Sequence, residues 1–527
     1  MDIEKLISGM TLREKISQTV VTLMNKNEKP DAGAGAAFFF GQIITEADEA
    51  GLDELRGYAR DLIERSKIPP FITSDFENGC GSMVKGLTAL PYIMGLGAAD
   101  SEQMAYDYGK ATALEARSVG ANWSFSPVSD LNLNPRNPLV NVRCMTDDTS
   151  LAVRLLPQVI KGMQDAGLAA CAKHFPGDGV DYRDQHIVTT VNSLPMEEWN
   201  ETFRKVYRAV IAEGVSSIMM GHISLPAYKS DETDSELPAS LRKSLITDLL
   251  KGELSYEGIV VTDALDMGGF VGFYDSREQS EIESLKAGCD MLLWPSDGYV
   301  DRVEKAVEDG YIPESRIDDA VRRILTVKDK MGLFNDDYRH IKLLTAQEEA
   351  FVKSTQKKIS DMSITLIRDE AKFFPFNKDK IKKIGILPVV EHQPSKPIAY
   401  TIKKHFEARG FDVELYEGDV LGGDALHRFY QRNDVVIYEL FSRPFRPIGF
   451  LDYTAARAAQ VSNAFKMPNA REKNIVVSFG SPYFGNQYFG KAKTYVNCYS
   501  MLENSVEAFV RAACGEVEFV GKSPVKL

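Results

Sequence analysis

Long apolar runs are missing from this chain of 527 residues. No stretch approaches the ~18 uninterrupted apolar residues of a membrane-spanning helix, so none is expected. Positive charge is in deficit: 62 Lys and Arg stand against 75 Asp and Glu, a net charge of -13. That balance excludes the basic patches that draw nucleic acid or an anionic membrane surface. Cysteine is sparse. Cys80, Cys144, Cys171, Cys289, Cys498 and Cys514 form no C-x-x-C pair, and in a chain of this length they read as reduced, buried thiols of a cytoplasmic protein. The opening MDIEKLISGMTLREK has no apolar run to act as a signal peptide, which agrees with that location. No H-E-x-x-H, G-x-G-x-x-G, P-loop or Ser nucleophile elbow occurs, so neither a metal nor a cofactor is expected.

What is present is a regular alternation of short apolar runs with helical stretches, the pattern of βα units. Eight strands are predicted, at 19–23, 36–40, 71–75, 123–128, 169–174, 217–222, 258–263 and 289–295. Eight parallel strands with intervening helices make a TIM-type (β/α)8 barrel, assigned to residues 1–340. Thr11 with Glu14 forms a capping box for the first helix. A polar helical segment at 346–359 reads as part of a linker over 341–375. Five further strands, at 383–390, 412–416, 434–440, 474–479 and 494–498, predict a smaller α/β sandwich over 376–527. Its role is left open between lending a loop to the barrel rim, supporting a homodimer, and stabilising the fold.

In such barrels the active site lies at the C-terminal strand ends. The third strand ends in Asp75, followed by Glu77; the fourth is followed by Asp130; the fifth ends in Lys173 and His174. The sixth ends in His222 and the seventh in Asp263. Beyond the fifth, the run AACAKHFPGDGVDYRDQH breaks at Pro176, Gly177 and Gly179 into a polar loop, expected to be mobile, that presents Asp184 and His186. A carboxylate two residues from an imidazole can hold one ring nitrogen and leave the other to trade protons. Asp263 at the end of a rigid apolar strand is the candidate nucleophile, and His186 oriented by Asp184 the candidate acid/base. That is the equipment of a retaining glycosidase. Asp75, Arg143, Lys173 and His174 are expected to bond sugar hydroxyls, with His222 and Asp130 also facing the sugar.

The segments AKHFPGDG, DQH and YEGIVVTDALDMGGF, with LPYIMGLGA, NWSFSPVSDL, MMGHISLPA and LKAGCDMLLWP in the same order, resemble glycoside hydrolase family 3. The likeness is to its β-N-acetylglucosaminidase branch and spans roughly residues 10 to 335. It implies Asp263 as nucleophile, the Asp184–His186 pair as acid/base, an N-acetylhexosamine substrate, and sugar contacts from Asp75, Arg143, Lys173 and His174. The chain departs from the family pattern in three places. Asp178 stands in the family's G-H-G, Cys80 where an Arg would grip the sugar, and NVRCMTDD in place of a segment with R-S-F-G.

The expected activity is therefore exo-acting hydrolysis of terminal β-linked N-acetylhexosamine through a covalent glycosyl-enzyme, on small cell-wall or chitin fragments. Two alternatives are kept. A phosphorylase would use the same residues, because a neutral imidazole does not repel an incoming phosphate as a glutamate would. A catalytically silent sugar-binding protein would have lost turnover through the altered rim.

Overall fold

The computed structural model describes the chain apart from residues 26–28, 45, 229–234, 391–396, 417–422, 445–447, 450, 453–460, 463–465 and 468. Eight strands form the first sheet: β1 (Val20–Met24), β2 (Ala36–Phe39), β3 (Phe71–Ser74), β4 (Trp123–Ser124), β5 (Cys171–Phe175), β6 (Ser217–Met220), β7 (Ile259–Ala264) and β8 (Met291–Leu293). They are parallel in the order β4-β3-β2-β1-β8-β7-β6-β5. Bridges from Trp123 to Ala169 and from Val128 to Lys173 join the two ends, so the sheet is a barrel. All eight strands fall where the apolar runs place them. β4 is the shortest because Pro127 has no N–H to give a ladder; the chain still runs beside β5, where Cys171 and Lys173 donate to the Ser126 and Pro127 carbonyls.

Strand alternation decides which side chains reach the rim. Phe71, Cys171, Met219, Ile259 and Val261 belong to the cluster inside the barrel, whereas Ile72, Ala172, Ile218, Met220 and Val260 pack under the outer helices. Asp75 and Asp263 continue the inward columns of Phe71 and of Ile259 and Val261. His222 continues the outward column of Ile218 and Met220. In β5 one extra residue enters the register between Ala172 and Phe175. A bulge of that kind re-aims side chains, and here Lys173 and His174 both reach the top.

The second sheet has six strands: β9 (Thr365–Asp369), β10 (Lys383–Val390), β11 (Asp412–Leu415), β12 (Val435–Phe441), β13 (Asn474–Ser478) and β14 (Thr494–Asn497). Their order is β9-β14-β13-β12-β10-β11, all parallel except β9. The five expected strands make the doubly wound part. β9 lies within the segment read as linker and adds an antiparallel edge. Its TLIRD is mostly half-buried, so it lacks the continuous apolar run of its buried neighbours. The helix before it, Ala346–Ser363, packs on helices Ile93–Ala99 and Glu102–Ser118 of the barrel and on Glu503–Ala513 of the second domain. Tyr92, Met94 and Val142 of the barrel meet Tyr483, Tyr499 and Val525 in a further apolar seam. No helix among the described residues is long and apolar enough to cross a membrane.

Candidate active site

At the end of β7, Asp263 keeps 15% of its side chain exposed and lies 3.8 Å from Nε2 of His174. Its Oδ1 accepts from the Ala264 amide at 2.8 Å. Burial alone would raise its pKa, but the surrounding His174, His222, His186 and Lys173 outweigh it and hold the carboxyl below its ordinary value. His174 is held in turn by Asp130, which accepts Nδ1–H at 2.7 Å and the His174 amide at 3.1 Å. Burial works against a charged imidazole here, yet the Asp130 carboxylate wins and raises its pKa.

Beside this pair is a charged quartet. Lys173 Nζ lies 2.7 Å from both Asp75 and Glu77, and Arg143 forks onto Glu77 with two bonds of 2.8 Å. Glu77 is half-buried, and desolvation would raise its pKa, but Arg143 and Lys173 together hold its carboxyl well below the usual range. A cavity of about 280 Å³ opens over Asp75, Glu77, Arg143 and His186, closed by Arg443 and Pro444 of the second domain. Such fixed, paired charges lining a concave site suit a ligand rich in hydroxyl groups.

The loop after β5 carries the third group. Asp184 Oδ1 accepts Nδ1–H of His186 at 2.7 Å and its amide at 2.9 Å. The His186 side chain is 34% exposed and that of Asp184 1%. The carboxylate thus orients the ring, and Nε2 hydrogen-bonds to nothing among the described residues. Burial tends to raise the Asp184 pKa, and the donors from His186 and from the Ile448 amide bring it below normal. The loop is pinned to the turn that follows β7, since Gly268 and Gly269 donate to the His186 and Gln185 carbonyls at 2.8 and 3.1 Å. Its glycines lie in close contact with their surroundings. A Cβ on Gly177 (φ +123) would fall 2.1 Å from the Phe203 ring, and one on Gly179 (φ +98) 2.0 Å from the Leu131 carbonyl. They serve close packing.

Two of the residues proposed from sequence sit behind the site. Asp130 is fully buried on His174. His222 is fully buried as well, with Nε2 donating to the Ala264 carbonyl at 2.9 Å and Nδ1 on Ser240 at 2.8 Å. Burial lowers its pKa, and with both ring nitrogens engaged it braces the strand end from behind. Cys80 is buried too, its Sγ donating to the Thr112 carbonyl at 3.2 Å, and it lines no part of the cavity. Glu77 was named at the third strand end but given no role, and Arg443 and Ile448 were not named from the sequence. Glu77 was signalled by its inward step two residues past Asp75; the other two come from the second domain and carried no local signal. Among the described residues no three His, Cys, Asp or Glu side chains gather to hold a metal ion.

The comparisons agree with this geometry. Residues 11–327 match the glycosyl hydrolase family 3 N-terminal domain. A β-N-acetylglucosaminidase/β-glucosidase of Cellulomonas fimi is 32% identical over 495 residues, 88% of this chain and 85% of its own length. Among solved structures, a β-glucoside phosphorylase, BglX, superposes with a TM-score of 0.87 at 27% identity, covering 99% of this chain and 96% of its own. A family 3 β-N-acetylglucosaminidase from Paenibacillus sp. str. FPU-7 superposes with a TM-score of 0.83 at 26% identity, covering 98% and 99%. A barrel of eight parallel strands, a carboxylate at the seventh strand end and a family match over most of the barrel place this chain in glycoside hydrolase family 3, as a glycoside hydrolase.

Proposed function

We propose that this chain is a retaining, exo-acting β-N-acetylglucosaminidase that releases terminal β-linked N-acetylhexosamine from small cell-wall or chitin fragments. The observation that carries it is the His186–Asp184 pair: an imidazole fixed at Nδ1 and open at Nε2, on a loop tied to the turn that follows Asp263. Asp263, held ionised by the histidines around it, attacks the anomeric carbon. His186 gives its Nε2 proton to the departing oxygen as that bond breaks, leaving a glycosyl ester on Asp263. His186 then takes a proton from water, which opens the ester and restores both groups. Asp75, Lys173, Arg143 and His174 hold the sugar's hydroxyls. The Cellulomonas fimi and Paenibacillus relatives support the acetamido sugar. A cytoplasmic setting goes with this reading, supported by six unpaired thiols, five of them buried.

A second reading, phosphorolysis, is favoured by the phosphorylase of like fold and by Arg443, a cation at the cavity wall. The test is release of p-nitrophenol from the β-N-acetylglucosaminide and from the β-glucoside, each with and without phosphate, identifying the sugar product. Faster release from the acetamido sugar, as free sugar without phosphate, supports the proposal. Sugar 1-phosphate formed only when phosphate is present favours the second reading. Binding without release of either aglycone contradicts both.

A further inference from the structure

Asp184 is the group that fixes His186, yet among the described residues the barrel satisfies only one side of its carboxylate. Oδ1 takes both donors of His186, the ring Nδ1–H and the backbone N–H. Oδ2 takes neither of these donors, and with the side chain almost wholly buried water has little access to it. The donor it receives is the backbone N–H of Ile448, at 3.0 Å, from the second domain.

Ile448 follows β12, which ends at Phe441. β12 and β10 are neighbours at the centre of the second sheet, where the order β11-β10-β12-β13-β14 reverses direction. In doubly wound sheets the chain leaving strands at that point forms a crevice at their carboxyl ends. Here Arg443 and Pro444, after β12, wall the cavity that His186 lines, and Ile448 reaches Asp184. Each domain therefore holds a different part of the dyad. Gly268 and Gly269 of the barrel fix the backbone at Gln185 and His186, while the second domain fixes the outer oxygen of the carboxylate.

We infer that the Ile448 amide is a positioning group for proton transfer, and that the second domain acts on the chemistry by orienting Asp184 and through it His186. A carboxylate bonded on one oxygen only is free to turn about its Cβ–Cγ axis, and the imidazole that follows it would lose its aim at the glycosidic oxygen. Held at both oxygens, the plane of the carboxylate is set and the ring with it. This inference rests on His186 being the acid, as proposed above.

The test replaces the 447–448 peptide bond by an ester, using the α-hydroxy analogue of isoleucine at 448, which removes the N–H and keeps the side chain. Ile448→Pro removes the same donor by ordinary mutagenesis, and Ile448→Ala keeps it. Steady-state rates are measured on β-N-acetylglucosaminides whose aglycones range from good to poor leaving groups, beside His186→Ala as reference. The expected result is that the ester and Ile448→Pro lower kcat/KM, which reports the first step, about tenfold on the poor leaving group and scarcely on the best one. Ile448→Ala is expected to follow the native dependence on leaving group. That pattern is a smaller copy of the acid-catalysis deficit of His186→Ala, and a defect of folding alone would slow all aglycones equally. If His186→Ala shows the leaving-group dependence and the ester does not, the positioning role is overturned and the proposed function stands. If His186→Ala shows no such dependence, the acid/base assignment itself fails.

Discussion

The molecule contains one hydrogen-bonded pair twice. His174 meets Asp130 and His186 meets Asp184 through Nδ1, both at 2.7 Å, and in each pair the carboxylate also accepts the histidine's own amide. Their surroundings differ. His174 is 4% exposed, on a strand, with Nε2 turned toward Asp263; His186 is 34% exposed, on a loop, with Nε2 open to the cavity side. In the function proposed above, access to the second nitrogen separates a histidine that holds Asp263 and a sugar in place from one that exchanges a proton with substrate. The local contact that defines a dyad is thus insufficient to define its role.

The largest difference between the two pairs is expected at His186. Alanine there is expected to cost about 10²–10⁴-fold in kcat/KM on a substrate with a poor leaving group, with much of the loss vanishing for a good one and azide accelerating the second step. Rates across an aglycone series read this directly. His174→Ala sharpens the contrast: about 10²-fold is expected from a misplaced nucleophile and sugar, to a similar degree for every aglycone, and azide gives no rescue. The smallest effect is expected at Asp178, whose amide donates to Asp130 at 2.7 Å. Burial, with Asp130 nearby, pushes its carboxyl up to about 7, from an ordinary 3.8. Between those values the folded chain keeps a proton that the unfolded chain has lost, so stability falls as pH rises through that window. Asp178→Asn, which cannot ionise, is expected to raise Tm by about 2–4 °C at about pH 8 and to give no gain at about pH 4, as calorimetry would register.

Much of the barrel was legible because buried parallel strands are apolar runs, and the site because Asp75, Lys173 and Asp263 stand at strand ends. The misplacement of His222 shows what strand ends leave out. Its sequence position is as favourable as that of Asp263, but it continues the outward column after Met220, so it braces the Ala264 carbonyl from behind. Gly177 and Gly179 read as slack because glycine is permissive, and the residues that make them close contacts, Phe203 and Leu131, are distant in sequence. β9 was hidden by a short, half-buried edge sequence. The contact between Ile448 and Asp184 spans 264 positions, and nothing local in either segment announces it.

The central claim is that Asp263 carries the sugar. Incubating the enzyme with a 5-fluoro-N-acetylglucosaminyl fluoride, whose electron-poor ring slows opening of the ester, and mapping its peptides by mass spectrometry tests it most directly. The account predicts one added sugar per chain on the peptide bearing Asp263, and none after Asp263→Ala. Turnover of the reagent with no adduct, or an adduct on another carboxylate, would contradict it.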